Sequence, residues 1–112
     1  MQQYNWTTVC QLDDIAPNTG VCALFDEQQV AIFRVGRTEQ VYAVDNFDPF
    51  GKANVLSRGL IGDCEGDIVV ASPLYKQQFV LKNGACIEDE NVKLKTFPIR
   101  AYRGEIQLGL AS

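Results

Sequence analysis

Turn-forming residues recur at short intervals along this chain and divide it into brief runs rich in apolar and β-branched residues. No window shows a sustained apolar period of about 3.6 residues, which is the pattern of an amphipathic helix. Short runs between turns predict strands, and we place them at residues 4–10, 21–25, 30–35, 40–45, 60–64, 67–71, 79–81, 85–87, 96–102 and 105–110. A chain with many short strands and little helix is expected to form an all-β sandwich or a small barrel.

Two of the predicted strands carry positional signals. Residues 30–35 are apolar on both faces, which predicts a central strand that is covered on both sides. Pro98 has no backbone N–H to donate, so its strand is expected at the edge of a sheet or at a bulge. With 112 residues the chain has room for one domain.

The most specific sequence lies in two loops. The first reads Asp45-Asn46-Phe47-Asp48-Pro49-Phe50-Gly51-Lys52-Ala53-Asn54-Val55-Leu56, and the second reads Ser72-Pro73-Leu74-Tyr75-Lys76-Gln77-Gln78-Phe79. Each resembles one metal-binding loop of the Rieske iron–sulfur fold, in which the first loop begins Cys-Pro-His and the second Cys-Pro-Leu-His. The resemblance implies a single Rieske-like domain over residues 1–112. It would be a β-sandwich of the iron–sulfur protein type, with a smaller subdomain of the cluster-binding kind inserted at about residues 46–85.

All four ligand positions of that fold are occupied here by other residues. Asp48 and Ser72 stand where the cysteines would be, and Phe50 and Tyr75 stand where the histidines would be. A Rieske [2Fe–2S] centre needs two thiolates on one iron and two imidazoles on the other. The chain contains 0 histidines, so no rearrangement of the loops supplies the imidazoles. We therefore expect no iron–sulfur cluster, no other metal and no cofactor in this chain.

The substituted loops resemble those of another protein family, the small subunits of NADH-dependent assimilatory nitrite reductases. The resemblance rests on the Asn-x-Asp-Pro-Phe loop, on Ala-Asn-Val-Leu-Ser-Arg-Gly after it and on Ser-Pro-Leu-Tyr-Lys-Gln further on. It extends from Trp6 to about Leu110. The family often carries a histidine just before Asp-Pro-Phe, and here that position is Phe47.

This second resemblance implies a function. The chain would be the small, cofactor-free subunit of a cytoplasmic NADH nitrite reductase, an oxidoreductase that reduces nitrite to ammonia in nitrate assimilation. FAD, sirohaem and a [4Fe–4S] cluster would belong to the large subunit, which is the expected partner. The alternative is a Rieske-like adaptor or interaction module of another oxidoreductase.

Composition narrows the choice of partners. The net charge of −4 disfavours nucleic acid and anionic membranes, both of which attract basic surfaces. The apolar runs are far shorter than the roughly 20 residues that span a bilayer. The first residues lack the basic and apolar regions of a signal peptide. A cytoplasmic protein, without nucleic-acid or membrane partners, is expected.

The chain also lacks the usual catalytic patterns. Without histidine there is no Ser-His-Asp or Cys-His arrangement, and no phosphate-binding glycine loop occurs. The cysteines form no Cys-x-x-Cys pair, and we interpret them as reduced thiols rather than as disulfides or a zinc site; they are Cys10, Cys22, Cys64 and Cys86. No catalytic residue is therefore expected.

Aromatic and basic residues remain at the tips of the two loops. We expect Phe50 and Tyr75 to fill the volume that a cluster would occupy, with the Tyr75 hydroxyl bonded to Asp48 or Ser72. Core packing does not explain the other residues of the loop tips, and exposed aromatic residues with a polar rim are typical of protein interfaces. We therefore expect Phe47, Lys52 and Lys76 to form a surface that docks on a partner.

Overall fold

The computed structural model describes residues 3–111, so Met1, Gln2 and Ser112 of the expected domain lie outside it. The strands are β1 Tyr4–Gln11, β2 Thr19–Phe25, β3 Gln28–Arg34, β4 Val41–Asp45, β5 Phe47–Asp48, β6 Ala53–Asn54, β7 Leu60–Cys64, β8 Asp67–Ala71, β9 Gln78–Val80, β10 Ile99–Tyr102 and β11 Glu105–Ala111. Two short 3-10 helices occupy Leu12–Asp14 and Leu56–Arg58. None of the helices in the described part of the chain is long and apolar enough to cross a membrane.

The described residues contain three antiparallel sheets of three strands, one of which is β7-β8-β9; the other two form the larger part of the fold. The first has the order β1-β11-β10 and the second has the order β2-β3-β4. The central position of β3 and the edge position of β10, which follows Pro98, confirm both sequence predictions. The all-β prediction is confirmed as well.

The first hydrophobic core lies between these two sheets. Alternate residues of β11 point inwards, and Ile106 and Leu108 are both fully buried. They meet residues of the second sheet and of the β1–β2 connection in one cluster that comprises Leu12, Ile15, Phe25, Val30, Ile32, Ala43, Phe97, Ile106 and Leu108.

The second core lies on the opposite face of the β2-β3-β4 sheet. Ala31, Phe33 and Val44 point to this side and pack against the part of the chain that follows β4. The partners from that part are Leu56, Val70, Phe79, Leu81, Cys86 and Leu94. Strand β3 is therefore buried on both faces, which explains its uninterrupted apolar sequence. The boundary of the inserted subdomain at about 46–85 stays a prediction.

The two large sheets are joined along one side. The segment 95–97 runs beside β4, where the Asp45 amide donates to the Lys95 carbonyl at 2.9 Å and the Phe97 amide donates to the Ala43 carbonyl at 3.0 Å. This segment leads directly into β10, so the sheets form an incomplete barrel. On the other side, β1 and β2 are the edge strands of their sheets.

Two predicted strands are shorter than the sequence indicated. Residues 85–87 make only isolated bridges, Phe79 with Cys86 and Ala85 with Lys93. The strand predicted at 96–102 begins at Ile99, because Pro98 lacks the N–H that would continue the ladder and Thr96 bridges to Val44 instead.

Candidate functional site at the tips of two loops

The first loop is a tight turn built by the Asp48 side chain. Its Oδ1 atom accepts hydrogen bonds from the backbone N–H groups of Phe50 at 2.9 Å and Gly51 at 3.2 Å. The Asp48 carbonyl accepts from the Lys52 amide at 2.7 Å, which closes the turn. Aspartate bonds its own following backbone readily, so this loop shape follows directly from the sequence.

The second loop has the same construction around Ser72. Its Oγ accepts from the Leu74 amide at 3.2 Å, and its carbonyl accepts from the Lys76 amide at 3.2 Å. In each loop a lysine therefore ends the turn four residues after the first residue. Both lysines adopt positive φ angles, 55° for Lys52 and 68° for Lys76. The likeness of the two turns could have been recognised in the sequence, because both loops contain a polar residue, a proline, two further residues and a lysine in the same order.

The two loops are joined by a buried hydrogen bond. The Ser72 hydroxyl donates to Oδ2 of Asp48, and both residues are 0% exposed. The predicted hydrogen bond from the Tyr75 hydroxyl to Asp48 or Ser72 is wrong. Tyr75 is 66% exposed, and the short Ser72 side chain itself makes the bond to Asp48.

Aromatic packing supports the first loop from below. Phe50 is half-buried against the second core, and its ring centroid lies 6.2 Å from that of Phe79. Gly51 lies directly under Leu74, so that a Cβ atom at position 51 would overlap the Leu74 side chain. Phe50 is thus only half-buried and contacts the second core, and its expected role in filling the volume of a cluster stays a prediction; the contact of Gly51 with Leu74 was not foreseen.

The loop tips do not supply the ligand set of a Rieske centre. The oxygen atoms of Asp48 and Ser72 bond each other and the backbone amides of their own loops. Phe50 has no donor atom, and the Tyr75 side chain is mostly exposed to solvent. Within residues 3–111, no three His, Cys, Asp or Glu side chains are grouped closely enough to hold a metal ion. The residues present therefore do not fit a [2Fe–2S] cluster.

Exposed side chains surround this junction. We use the name tip surface for the exposed residues Phe47, Lys52, Leu74, Tyr75 and Lys76. The exposed fractions are 39% for Phe47, 45% for Leu74 and 66% for Tyr75. Phe47 and the two lysines were predicted to be exposed here, whereas Tyr75 was predicted to be buried and Leu74 was not predicted at all. An exposed apolar group of this kind with charges beside it is typical of protein interfaces.

The four cysteines are free thiols. Burial, together with the Asp14 carboxylate, raises the pKa of Cys10. Burial is also the largest influence on Cys86, and it raises the pKa of that thiol. A raised pKa keeps a thiol protonated and weakly nucleophilic at neutral pH. Cys10 packs against the first core, and Cys86 lies in the second core, where its Sγ also donates to Oε1 of Glu88 at 3.6 Å.

Comparison with known proteins identifies the family. The model of the Rieske-like [2Fe-2S] domain family matches residues 5–109. The nitrite reductase (NADH) small subunit of Escherichia coli strain K12 is 50% identical over 103 residues, which is 92% of this chain and 95% of that protein. The chain belongs to the family of NADH nitrite reductase small subunits.

Other comparisons agree with this assignment. The solved structure of the Escherichia coli protein NirD is 48% identical and superposes with a TM-score of 0.90 over 98% of this chain and 100% of that chain. The nitrite reductase [NAD(P)H] large subunit of Klebsiella oxytoca contains a stretch that is 41% identical to 93% of this chain and makes up 11% of that protein. Members of this family are subunits of an oxidoreductase, and none of these relatives favours the adaptor alternative.

Proposed function

We propose that this chain is the cluster-free small subunit of a cytoplasmic NADH nitrite reductase, which reduces nitrite to ammonia in nitrate assimilation. It binds the large subunit through the tip surface. The large subunit holds the FAD, sirohaem and [4Fe–4S] cluster, and this chain holds no cofactor and no catalytic residue. Its contribution is to the assembly of the enzyme rather than to electron transfer.

The hydrogen bond between Ser72 and Asp48 is the observation that carries this proposal. It occupies the two positions that would supply thiolates, and it holds the loops closed through protein groups alone. The loops therefore keep a fixed shape with a donor set of the wrong chemistry for a Rieske centre. A fixed loop pair without a redox group is suited to binding.

The charge of the tip surface supports docking on a partner. The protein carries a net charge of −4, yet the turn of each loop ends at an exposed lysine, Lys52 or Lys76. Charges at the rim of an interface mainly accelerate association, whereas an aromatic residue at its centre contributes most of the affinity. Tyr75 and Phe47 are the aromatic candidates for that central role.

A relative supports the choice of partner. In the Klebsiella oxytoca protein that is named a large subunit, a domain like this chain is part of the same polypeptide. Covalent linkage of the two units in one protein favours their physical association as separate chains in another.

Co-expression with the large subunit tests the proposal. Lys52→Glu combined with Lys76→Glu is expected to slow association, with a larger effect at low salt, because charge steering is screened by ions. Tyr75→Ala and Phe47→Ala are each expected to weaken the complex by about 2 kcal/mol if they lie at the interface centre.

The matched control is Lys82→Glu, which makes the same charge change on an exposed residue beyond the opposite end of β9. Glu88 is not a suitable control, because its Oε1 atom accepts from the Gln78 amide at 2.8 Å. If Lys82→Glu disrupts assembly and the tip variants do not, the docking surface lies elsewhere. Stoichiometric iron in the anaerobically purified small subunit would contradict the cluster-free proposal.

A further inference from the structure

The incomplete barrel has an open seam between β1 and β2. A cleft of about 690 Å³ runs along this seam, lined by residues 7–10 of β1 and residues 21–25 of β2. Among residues 3–111, no strand pairs with the outer edge of β2 or with the outer edge of β1. The corresponding seam on the other side of the barrel is covered by residues 95–97.

The hairpin that joins β2 to β3 shows which backbone groups face the seam. Asp26 and Glu27 have φ angles of 52° and 61°, the geometry of a two-residue type I′ turn closed by the Phe25–Gln28 pair. In such a turn the closing pair is hydrogen-bonded, and hydrogen-bonded pairs alternate along an antiparallel ladder. Ala23 therefore bonds β3, whereas the N–H and C=O groups of Leu24 and Cys22 point into the seam.

The pairing of β3 with β4 supports the conclusion that the backbone groups of Leu24 point away from β3. The Asn46 amide donates to the Gln29 carbonyl at 3.0 Å, so the backbone of Gln29 faces away from β2. Gln29 is the register partner of Leu24, and the pair is thus not hydrogen-bonded. Since no strand within residues 3–111 pairs with this edge, its backbone groups at Leu24 are of the kind that another extended chain can bond.

The cleft is held in shape before any partner arrives. Asp14, in the connection between β1 and β2, lines the cleft, and the Arg34 guanidinium anchors this connection by donating to the carbonyls of Leu12 at 3.2 Å and Ile15 at 3.0 Å. Arg34 is itself 9% exposed. A preformed cleft binds an extended segment at a lower entropic cost than a mobile one.

The lining defines the chemistry of the occupant. Val9, Val21 and Phe25 present apolar side chains, and Leu24 is 75% exposed at the rim. Two carboxylates, those of Asp14 and Asp26, also line the cleft, and no lysine or arginine does so within the described residues. An extended segment with alternate apolar residues and a lysine or arginine fits this arrangement. A second copy of this acidic chain fits it poorly.

We propose that an extended, basic segment of the large subunit adds as a strand between β1 and β2 and completes the barrel. The identity of the partner rests on the function proposed above. The tip surface and the seam then bind two different parts of the same partner, and the seam contributes backbone hydrogen bonds that do not depend on the side chains of this chain.

Proline substitution at the edge of β2 tests the role of the backbone N–H separately from the role of the side chain. Leu24→Pro removes only an N–H that points into the seam, and proline is tolerated at a strand edge. Leu24→Pro is expected to weaken the complex with the large subunit by about tenfold or more, because one backbone hydrogen bond is lost and the proline ring clashes with the added strand. Leu24→Ala keeps the N–H and is expected to change affinity by about threefold or less. Ala23→Pro removes a bond to β3 and is expected to destabilise the fold instead.

Hydrogen exchange of the wild-type subunit gives a second measurement that does not depend on a variant folding. The amides of Cys22 and Leu24 are expected to exchange rapidly in the free subunit and to become protected in the complex. Equal affinity of Leu24→Pro and wild type, or unprotected amides in the complex, would overturn the inference while leaving the proposed function intact. Protection of these amides in a dimer of this chain alone would identify a second copy as the occupant and also overturn it. If the wild-type subunit does not bind the large subunit at all, both proposals fail.

Discussion

Removal of the Ser72 hydroxyl tests the idea that a protein hydrogen bond keeps the two loops together. Ser72→Ala deletes the donor to Asp48 and the acceptor for the Leu74 amide without changing the backbone. The Asp48 carboxylate remains fully buried and loses one of its three donors. The first loop keeps its own two amide bonds to Oδ1, so the damage is confined to the junction.

The expected loss follows from the burial of the pair. A hydrogen bond to a charged group contributes about 1.5–3 kcal/mol, and a buried group left unsatisfied costs about 1–3 kcal/mol. Ser72→Ala should therefore lower the free energy of unfolding by about 2 kcal/mol. Asp48→Ala should cost more, about 3–5 kcal/mol, because the Ser72 hydroxyl and two loop amides lose their acceptor together. In the double variant the losses should fall short of additivity by about 1–2 kcal/mol, the coupling energy of a contacting pair.

Urea unfolding of the four proteins, followed by circular dichroism and by the fluorescence of Trp6, measures these quantities. Trp6 lies on β1, in the β1-β11-β10 sheet and away from the two loops. Agreement between the two signals therefore shows that the loss of stability affects the whole domain. The matched control is Ser57→Ala in the segment after the first loop. A loss below about 0.5 kcal/mol for Ser72→Ala, or strict additivity in the double variant, would refute the role assigned to this bond.

Other predictions concern the packing below the loops and the buried thiol. Phe50→Ala should cost about 2 kcal/mol in urea unfolding, below the range for a fully buried phenylalanine, because its ring is only half-buried against Phe79; an unchanged midpoint would contradict this contact. Gly51→Ala should cost about 1–2 kcal/mol, because the added Cβ displaces Leu74, and wild-type stability would show that Leu74 moves freely. Burial raises the pKa of the Cys86 thiol. The stabilising effect of this thiol is therefore present below the usual thiol pKa of 9.0 and is lost as the pH rises through the raised value. The free energy of unfolding, measured from pH 8 to pH 10.5, should fall less steeply in Cys86→Ala than in wild type, and parallel curves would count against this.

Local sequence patterns predicted most of the strands, whereas the pairing of the two loops was implied by the family resemblance. The apolar sequence of β3 and the missing N–H of Pro98 are features of a few consecutive residues. The central position of β3 and the edge position of β10 could therefore be predicted without tertiary information. The Ser72 and Asp48 contact could not, because it depends on how closely two separate loops approach each other. Tyr75 was misplaced for the same reason: an aromatic side chain beside a loop fits a buried or an exposed position equally well in sequence. The open seam is also a tertiary property, since it depends on which edge of the barrel the chain leaves uncovered.

The double burial of β3 has a consequence for how order is maintained at the loop tips. Ile32 and Phe33 are neighbours in sequence, yet one belongs to the first core and the other to the second. Melting either core would expose apolar side chains of the same strand to water, so the two cores are expected to unfold in a single cooperative step. The loops are then supported by β3, a strand that both cores stabilise. In a chain of this design the loop tips are held by hydrogen bonds and by packing on the second core, so their shape does not require a metal ion.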